Sequence, residues 1–320
     1  MKSIVTGGAG FIGSTIVDAL LERGDEVLIV DDFSTGRDSN LDNAKKDYGS
    51  KLTIVKKDIC ELSLMEDFEA FKPDVVFHTA AQINVRKSVA EPGFDAEKNV
   101  AGTVNILEAA RRGGAKRFVF SSTGGAIYGE QESFPASEEH PNKPESQYGV
   151  GKRAAELYLE LYARKFDMTV VSLRYSNVFG PRQNAKGEAG VVAIFTDKLV
   201  EEQSLKVNGD GKQTRDFVYV GDVTAANLAV SGLDRPGELS VYNVGRGVEI
   251  SVLDVVNAFK KVWPEHCGSK CPDVKFENGP ALPGEQMRSV IDSGRLQKEF
   301  GWSAPVDLEQ GLVHTIKSVT

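Results

Sequence analysis

The chain has 320 residues, enough for about two domains, and its 41% hydrophobic and 26% charged residues are those of a soluble globular protein. Lys plus Arg number 38 against 46 Asp plus Glu, a net charge of −8, which argues against a basic nucleic-acid footprint. No segment approaches the ~18 apolar residues of a membrane helix. The three cysteines, Cys60, Cys267 and Cys271, are too few for a disulfide framework and are read as thiols of a reducing compartment. The N-terminus runs straight into a glycine cluster, as a first strand and not a leader peptide, so the expected location is the cytoplasm.

The first half alternates strand and helix patterns. Ile4-Val5 is a short β-branched run, and helical spacing follows from Phe11 to Arg23, stopped by Gly24. Further strands are expected at Val27–Val30, Leu52–Val55, Val75–Phe77, Phe118–Phe120 and Thr169–Leu173. Between them, Ser63-Leu64-Met65-Glu66 looks like a capping box, and helices are expected over 94–112 and 147–166. Continuous apolar strands alternating with helices predict a doubly wound parallel sheet of the Rossmann type. After Tyr175 the rhythm breaks into a Gly- and Asn-rich loop over 177–190, a helix near Val192–Glu202 and a strand near Phe217–Val220. Two late helices begin at near capping boxes, Ser251–Asp254 and Asp307–Gln310. The expected division is residues 1–175 plus about 216–245 as the nucleotide-binding domain, with 176–215 and 246–320 as a smaller α/β C-terminal substrate lobe.

Thr6-Gly7-Gly8-Ala9-Gly10-Phe11-Ile12-Gly13 joins the first strand to the first helix and holds both G-x-x-G-x-x-G and G-x-G-x-x-G registers. Residues without Cβ allow the tight turn and the close approach of backbone to a pyrophosphate, which the helix N-terminus then attracts. Asp31 ends the second strand 18 residues after Gly13, where a carboxylate accepts ribose hydroxyls and repels a 2′-phosphate. The expected cofactor is therefore NAD, held by Gly7, Gly10, Phe11, Ile12, Gly13, Asp31 and Asp32, with Arg37 the one nearby residue that would favour NADP. Asp58 and Ile59 after the third strand stand where they would meet adenine.

Tyr148 and Lys152 are spaced i, i+4 and share a helix face. Tyrosine, with a pKa near 10, is a poor base at neutral pH. A neighbouring ammonium favours the phenolate, which can then take a hydroxyl proton. Ser122 and Thr123 end the fifth strand, at the sheet edge where ligands of such folds sit. Both are candidates for the catalytic set, with Thr123 beside the substrate hydroxyl.

Taken together, the glycine loop, the strand-end Ser-Ser-Thr and the Tyr-x-x-x-Lys pair resemble the extended short-chain dehydrogenase/reductase family. His78-Thr79-Ala80-Ala81, Asn99, Arg174–Arg182 and Arg215–Val223 look like further family segments, so the likeness runs from Thr6 to about Trp302. Within the family the chain looks most like the UDP-glucose 4-epimerases. The resemblance implies that Ala80, Ala81, Gln82, Asn99, Tyr148 and Lys152 also line NAD. It implies Tyr148 as base, Lys152 as its tuner, and Thr123 as the bridge to the sugar O4. Asn177, Val191, Arg215 and Arg288 would hold the UDP-sugar. It further implies a transient 4-keto sugar and a homodimer through helices 94–112 and 147–166. Those helices carry stripes at Val100, Val104, Leu107 and at Val150, Ala154, Leu157, Leu161.

Two departures stand out. Leu282 occupies the family's usual Arg position, for which Arg288 could compensate. Ser289 stands where some relatives carry Tyr, and a small residue leaves room for an N-acetyl group. A dehydratase or decarboxylase would need an acid after Thr123, where this chain has Gly124 and Gly125. A third reading is a regulator that binds NAD without chemistry. The run Glu265-His266-Cys267, then Cys271, offers three candidate ligands, short of a closed four-ligand zinc set, so no metal is expected. His78 reads as a packing histidine, and His140 and His314 as surface residues.

Overall fold

A computed structural model describes residues 1–185, 190–268, 271, 273–281 and 286–320. The first half runs β1 (Lys2–Thr6), α1 (Phe11–Glu22), β2 (Glu26–Val30), α2 (Asp42–Tyr48), β3 (Leu52–Val55), α3 (Leu64–Phe71), β4 (Val75–His78), α4 (Val85–Ala90), α5 (Pro92–Ala96), α6 (Gly102–Arg112), β5 (Arg117–Thr123), α7 (Gly124–Ile127), α8 (Gln147–Phe166) and β6 (Thr169–Tyr175). The second half adds β7 (Asn177–Phe179), α9 (Val191–Val200), β8 (Leu205–Asn208), β9 (Thr214–Arg215), β10 (Phe217–Tyr219), α10 (Val220–Val230), β11 (Leu239–Val244), β12 (Ile250–Ser251), α11 (Val252–His266), β13 (Phe276–Gly279), β14 (Arg288–Ser289), α12 (Gly294–Phe300) and α13 (Leu308–Lys317).

Seven strands form one sheet in the order β11-β6-β5-β4-β1-β2-β3. The pairings β1–β2, β1–β4, β2–β3 and β4–β5 are parallel. The order reverses at β1, so the carboxyl ends of β1 and β4 flank the switch point where ligands of doubly wound sheets bind. The chain divides into two compact units. The first comprises Met1–Ile127, Pro144–Arg174 and Thr224–Tyr242, and the second Tyr128–Lys143, Tyr175–Val223 and Asn243–Thr320. Residues 128–143 thus join the second unit. There Ala136 bridges Ile291, and Glu138 accepts the Asn243 N–H at 2.8 Å.

The first unit's core packs Leu28, Phe68, Ile106, Phe118, Phe120, Leu159 and Val170. The second unit has its own, with Phe195, Leu199, Val207, Phe259, Trp263 and Leu312. Separate apolar cores of this size are what let each unit hold its loops in place.

Several expectations need correction. Helix 94–112 is three pieces, α5, a π turn over Glu97–Ala101, and α6. Within that stretch Leu107 faces the core at 0% exposure, while Val100 and Val104 are half-buried. Ser63 forms no capping box, because it is itself in helical conformation and makes no side-chain cap bond. Ser251 and Asp307 do form capping boxes, with Asp254 and Gln310. His140 is buried, not a surface residue; its Nε2 accepts the Glu132 N–H at 2.8 Å, and its ring meets Tyr128 edge-on. Cys267 and Cys271 are disulfide-bonded, not free thiols, with Cα atoms 5.3 Å apart at the end of α11. The cysteines therefore no longer argue for a reducing compartment. No group of metal-ligating side chains occurs among the described residues, and none of their helices is long and apolar enough to cross a membrane.

Candidate active site

The glycine turn closes where β1 ends. Gly7 donates its N–H to the Val30 carbonyl at 2.7 Å, and Gly10 to the Gly7 carbonyl at 3.0 Å. Gly7 has φ +68°, and a Cβ there would lie 2.8 Å from the Ala80 nitrogen. A Cβ on Gly13 would lie 2.1 Å from the Gly7 carbonyl oxygen. No other residue type fits either place, and the bare turn leaves the first N–H groups of α1 turned toward a ligand. Phe11 is buried at 5% exposure as the first residue of that helix, and Ile12 is half-buried.

Asp31 is stitched in from both sides. Its Oδ2 accepts the Ala9 N–H at 2.9 Å and its Oδ1 the Phe33 N–H at 2.8 Å. Burial raises its pKa, with those two donors opposing the rise. Asp32 is exposed and accepts from Ser34. Asp58 accepts the Cys60 N–H at 2.9 Å and pairs with Lys98. Burial pushes its carboxyl up, but the Lys98 hydrogen bond and charge outweigh that and hold it low. Ile59 is buried beside it at 7% exposure.

The segment after β4 is fixed by a clasp. Gln82 N–H donates to Asn99 Oδ1 at 2.9 Å, and Asn99 Nδ2 returns to the Gln82 carbonyl at 2.8 Å. Ala80 N–H donates to Thr6 Oγ1 at 3.3 Å, and Ala81 lies half-buried between these anchors. His78 ends β4 in full burial. Thr103 Oγ1 donates to the Asn99 carbonyl, so it accepts from His78 Nε2 at 3.0 Å, and His78 Nδ1 accepts from Thr6 Oγ1 at 2.7 Å. Burial, followed by the Lys152 charge, lowers its pKa to about 3. It is the satisfied packing histidine expected from sequence.

Tyr148 lies in the first turn of α8, half-buried, with its backbone N–H on Ser88 Oγ at 3.1 Å. Next to it, a Cβ on Gly149 would lie 2.6 Å from the Ala126 carbonyl oxygen, so this turn packs against α7, three residues beyond Thr123. Lys152 is 3% exposed and donates Nζ to the Ser121 carbonyl at 2.9 Å, over the Phe120 ring. Burial lowers its pKa to about 8, while Asp95 and then Glu156 pull it up. Thr123, half-buried, ends β5. Ser122 corrects the expectation. It is buried and donates Oγ to Glu156 Oε1 at 3.0 Å, because successive strand residues face opposite sides. Its hydroxyl belongs to the core network.

Glu156 was missed by sequence reasoning. It is fully buried and accepts from Ser172 at 2.8 Å, from Arg174 Nε at 3.0 Å and Nη2 at 2.7 Å, and from Arg153 at 3.0 Å. Its place four residues after Lys152, on the same helix face, was the available signal. Asp95 was missed as well. It stands four residues before Asn99 and accepts from Gln82 and Asn99.

In the second unit, Asn177 is exposed and begins β7, with its N–H on the Asp216 carbonyl at 2.9 Å. Val191 opens α9. Arg215 Nη1 donates to the Thr214 carbonyl at 2.8 Å. Arg288 forks onto Glu249, Nη2 to Oε1 at 2.5 Å, and lies 3.8 Å from the Phe134 ring centroid. Ser289 is 4% exposed on β14. Leu282 lies outside the described residues.

The glycine cradle, Asp31 and the Tyr148–Lys152 pair sit in one unit, which matches a dinucleotide site. Comparison with known proteins agrees. Residues 3–245 match the family described as the NAD dependent epimerase/dehydratase family. The chain belongs to that family. It is 42% identical over 317 residues to a UDP-glucose 4-epimerase of Mycolicibacterium smegmatis, covering 99% of this chain and 98% of the relative. It superposes with TM-score 0.89 on the Thermotoga maritima UDP-glucose 4-epimerase solved with UDP-glucose, at 39% identity, covering 99% and 98% of the two chains. The Thermus thermophilus UDP-glucose 4-epimerase solved with NAD gives 0.87 at 38% identity, again covering 99% and 98%.

Proposed function

We propose that this chain is an NAD-dependent 4-epimerase of UDP-hexoses. The glycine turn at Gly7, Gly10 and Gly13 would take the pyrophosphate, and Asp31 the adenosine ribose hydroxyls. Bound NAD supplies hydride acceptance and return at a sugar carbon. The chain's own part is proton handling. Tyr148 takes the O4 proton, Lys152 keeps an ammonium charge beside it, and Thr123 orients the hydroxyl. Removing that proton favours departure of hydride from C4 as the carbonyl forms; the 4-keto sugar would then turn its other face before hydride returns to C4 and the proton to O4, which inverts the centre.

The observation that carries this reading is the pair Gly124-Gly125 after Thr123. Dehydration or decarboxylation needs a further acid or base at that strand end, and glycine can move no proton. The three proton-handling side chains of an epimerase are present, which opposes a catalytically silent regulator. The test is turnover: purified protein with UDP-galactose, followed by proton NMR, should yield UDP-glucose.

Asn177 and Arg215 are assigned to the UDP diphosphate, with Val191 against the nucleoside; Arg288 would join them only on leaving Glu249. Arginine forks suit a diphosphate because each meets two oxygens at once. Ser289 supports acceptance of UDP-N-acetylhexosamines, since a small side chain leaves room for the acetamido group. The assembly is assigned as a homodimer through α8 and the helical stretch that includes α6. Val150, Leu157, Tyr158 and Leu161 are each at least 40% exposed on α8, an apolar stripe that a second copy would cover. A depression of ≈ 380 Å³ beside it is lined by Ala96, Val100, Val150 and Ala154. The cytoplasm is the compartment assigned to this activity, where UDP-sugars and NAD would be met.

A further inference from the structure

Lys152 is a buried cation whose direct contacts carry no full charge. Its Nζ meets the Ser121 carbonyl at 2.9 Å and lies 4.6 Å from the Phe120 ring centroid. Among the described residues no carboxylate reaches ion-pair distance of it. The charged and titratable groups that face it come from three elements. Tyr148 and Glu156 flank it on α8, His78 ends β4, and Asp95 belongs to α5.

These neighbours are not equivalent. His78 is neutral, with a hydroxyl partner on each ring nitrogen. Glu156 already answers Arg174 and Arg153. Asp95 is 1% exposed, and its partners are neutral amides: Oδ1 accepts Gln82 Nε2 at 2.8 Å and Asn99 Nδ2 at 2.9 Å. No cation among the described residues contacts it. Its other oxygen faces the bare side of α8, where a Cβ on Gly151 would lie 3.2 Å from Oδ2. Gly151 immediately precedes Lys152. A buried carboxylate without a contact cation therefore lies against the turn of α8 that carries a buried ammonium without a contact anion.

We propose that Asp95 is a positioning residue for the reaction, the counter-ion that keeps Lys152 protonated and so keeps a positive charge beside Tyr148. This rests on the reading of Tyr148 and Lys152 as the proton-handling pair. Burial draws the Lys152 ammonium down to about 8, and Asp95 is the first of the two acids that oppose the fall. Without Asp95 the charge would be lost nearer neutrality.

The test uses holoenzyme labelled with ¹³Cε-lysine, its Lys152 resonance assigned by its loss in K152R. Asp95→Asn keeps an oxygen that can accept from Gln82 and Asn99 but carries no charge. Asp95→Ser is a smaller neutral variant should the first not fold, and Asp95→Glu retains the charge. The Lys152 midpoint should fall by about one pH unit in the neutral variants and hold in D95E. The alkaline limb of the kcat profile should move down with it. A midpoint unmoved in the neutral variants, or moved equally in D95E, would overturn the proposal, because a purely structural Asp95 predicts that result. The titration needs no substrate. A chain that fails to turn over UDP-hexoses would sink the activity reading and leave this coupling intact.

Discussion

Ser122 Oγ donates to Glu156 Oε1 at 3.0 Å, tying the end of β5 to the helix that carries Tyr148 and Lys152. Glu156 also accepts from two Arg174 nitrogens of β6, Nε and Nη2, so one carboxylate fastens three elements beneath the proton-handling residues. Burial pushes its pKa up, but Arg174, Ser172 and Ser122 outweigh burial and hold it low. Buried ion pairs of this kind are more informative about position than about net stability.

Breaking that pair on one side should be costly. Glu156→Leu removes the carboxylate of a buried ion pair and keeps the Arg174 guanidinium buried, a loss of about 3–5 kcal/mol. Urea denaturation measures it. The double variant E156L/R174M should recover most of the loss, because it removes both charges and keeps the volume.

The proton-handling roles separate by magnitude. Tyr148→Phe should lower kcat by roughly 10²–10⁴-fold with little change in UDP-sugar affinity, since it removes only the group that moves a proton. Thr123→Val should cost roughly tenfold, the worth of one orienting hydrogen bond. Steady-state kinetics and isothermal titration of the sugar nucleotide distinguish the two. Equal effects of both variants would place the base elsewhere.

Stability should fall between about pH 4 and pH 6 through Asp216 in the second unit, with Asp222 raised by burial in the same direction. Asp216 is raised by burial to about 6, against the N–H donors of Arg246, Gly247 and Ile291. In that window the folded chain holds a proton that the unfolded chain has released, so stability decreases as pH rises and levels off above about 6. The gap corresponds to about 3 kcal/mol at about 1.4 per unit. Relative to Asp216→Asn, wild type should lose up to that amount on going from pH 4 to pH 7, as read by denaturant melts. Parallel curves for the two proteins would contradict it.

The exposed stripe on α8 gives a direct test of assembly. Leu161→Asp puts a charge among Val150, Leu157 and Tyr158, and sedimentation velocity should show a dimer for wild type and a monomer for the variant. A wild-type monomer at micromolar concentration would remove the dimer.

How much of this was legible in sequence follows from range. The glycine turn, Asp31 and helix 147–166 were readable because each rests on local rules: a turn suited to residues without Cβ, a strand end and i, i+4 spacing. The site's second layer was not. Asp95 and Glu156 read as ordinary helix acids until the fold sets one against Gln82 and Asn99 and the other against Arg174. Ser122 was misread because pleat direction at a strand end cannot be taken from three consecutive hydroxyl residues. The Cys267–Cys271 bond was not legible from the cysteine count, because it depends on the end of α11 bringing two residues four apart to a Cα separation of 5.3 Å.

The most direct measurement is proton NMR of the purified protein with UDP-galactose, first without and then with added NAD. The account predicts signals of UDP-glucose growing at the expense of UDP-galactose, and their disappearance in Tyr148→Phe. Unchanged UDP-galactose with NAD present would contradict it.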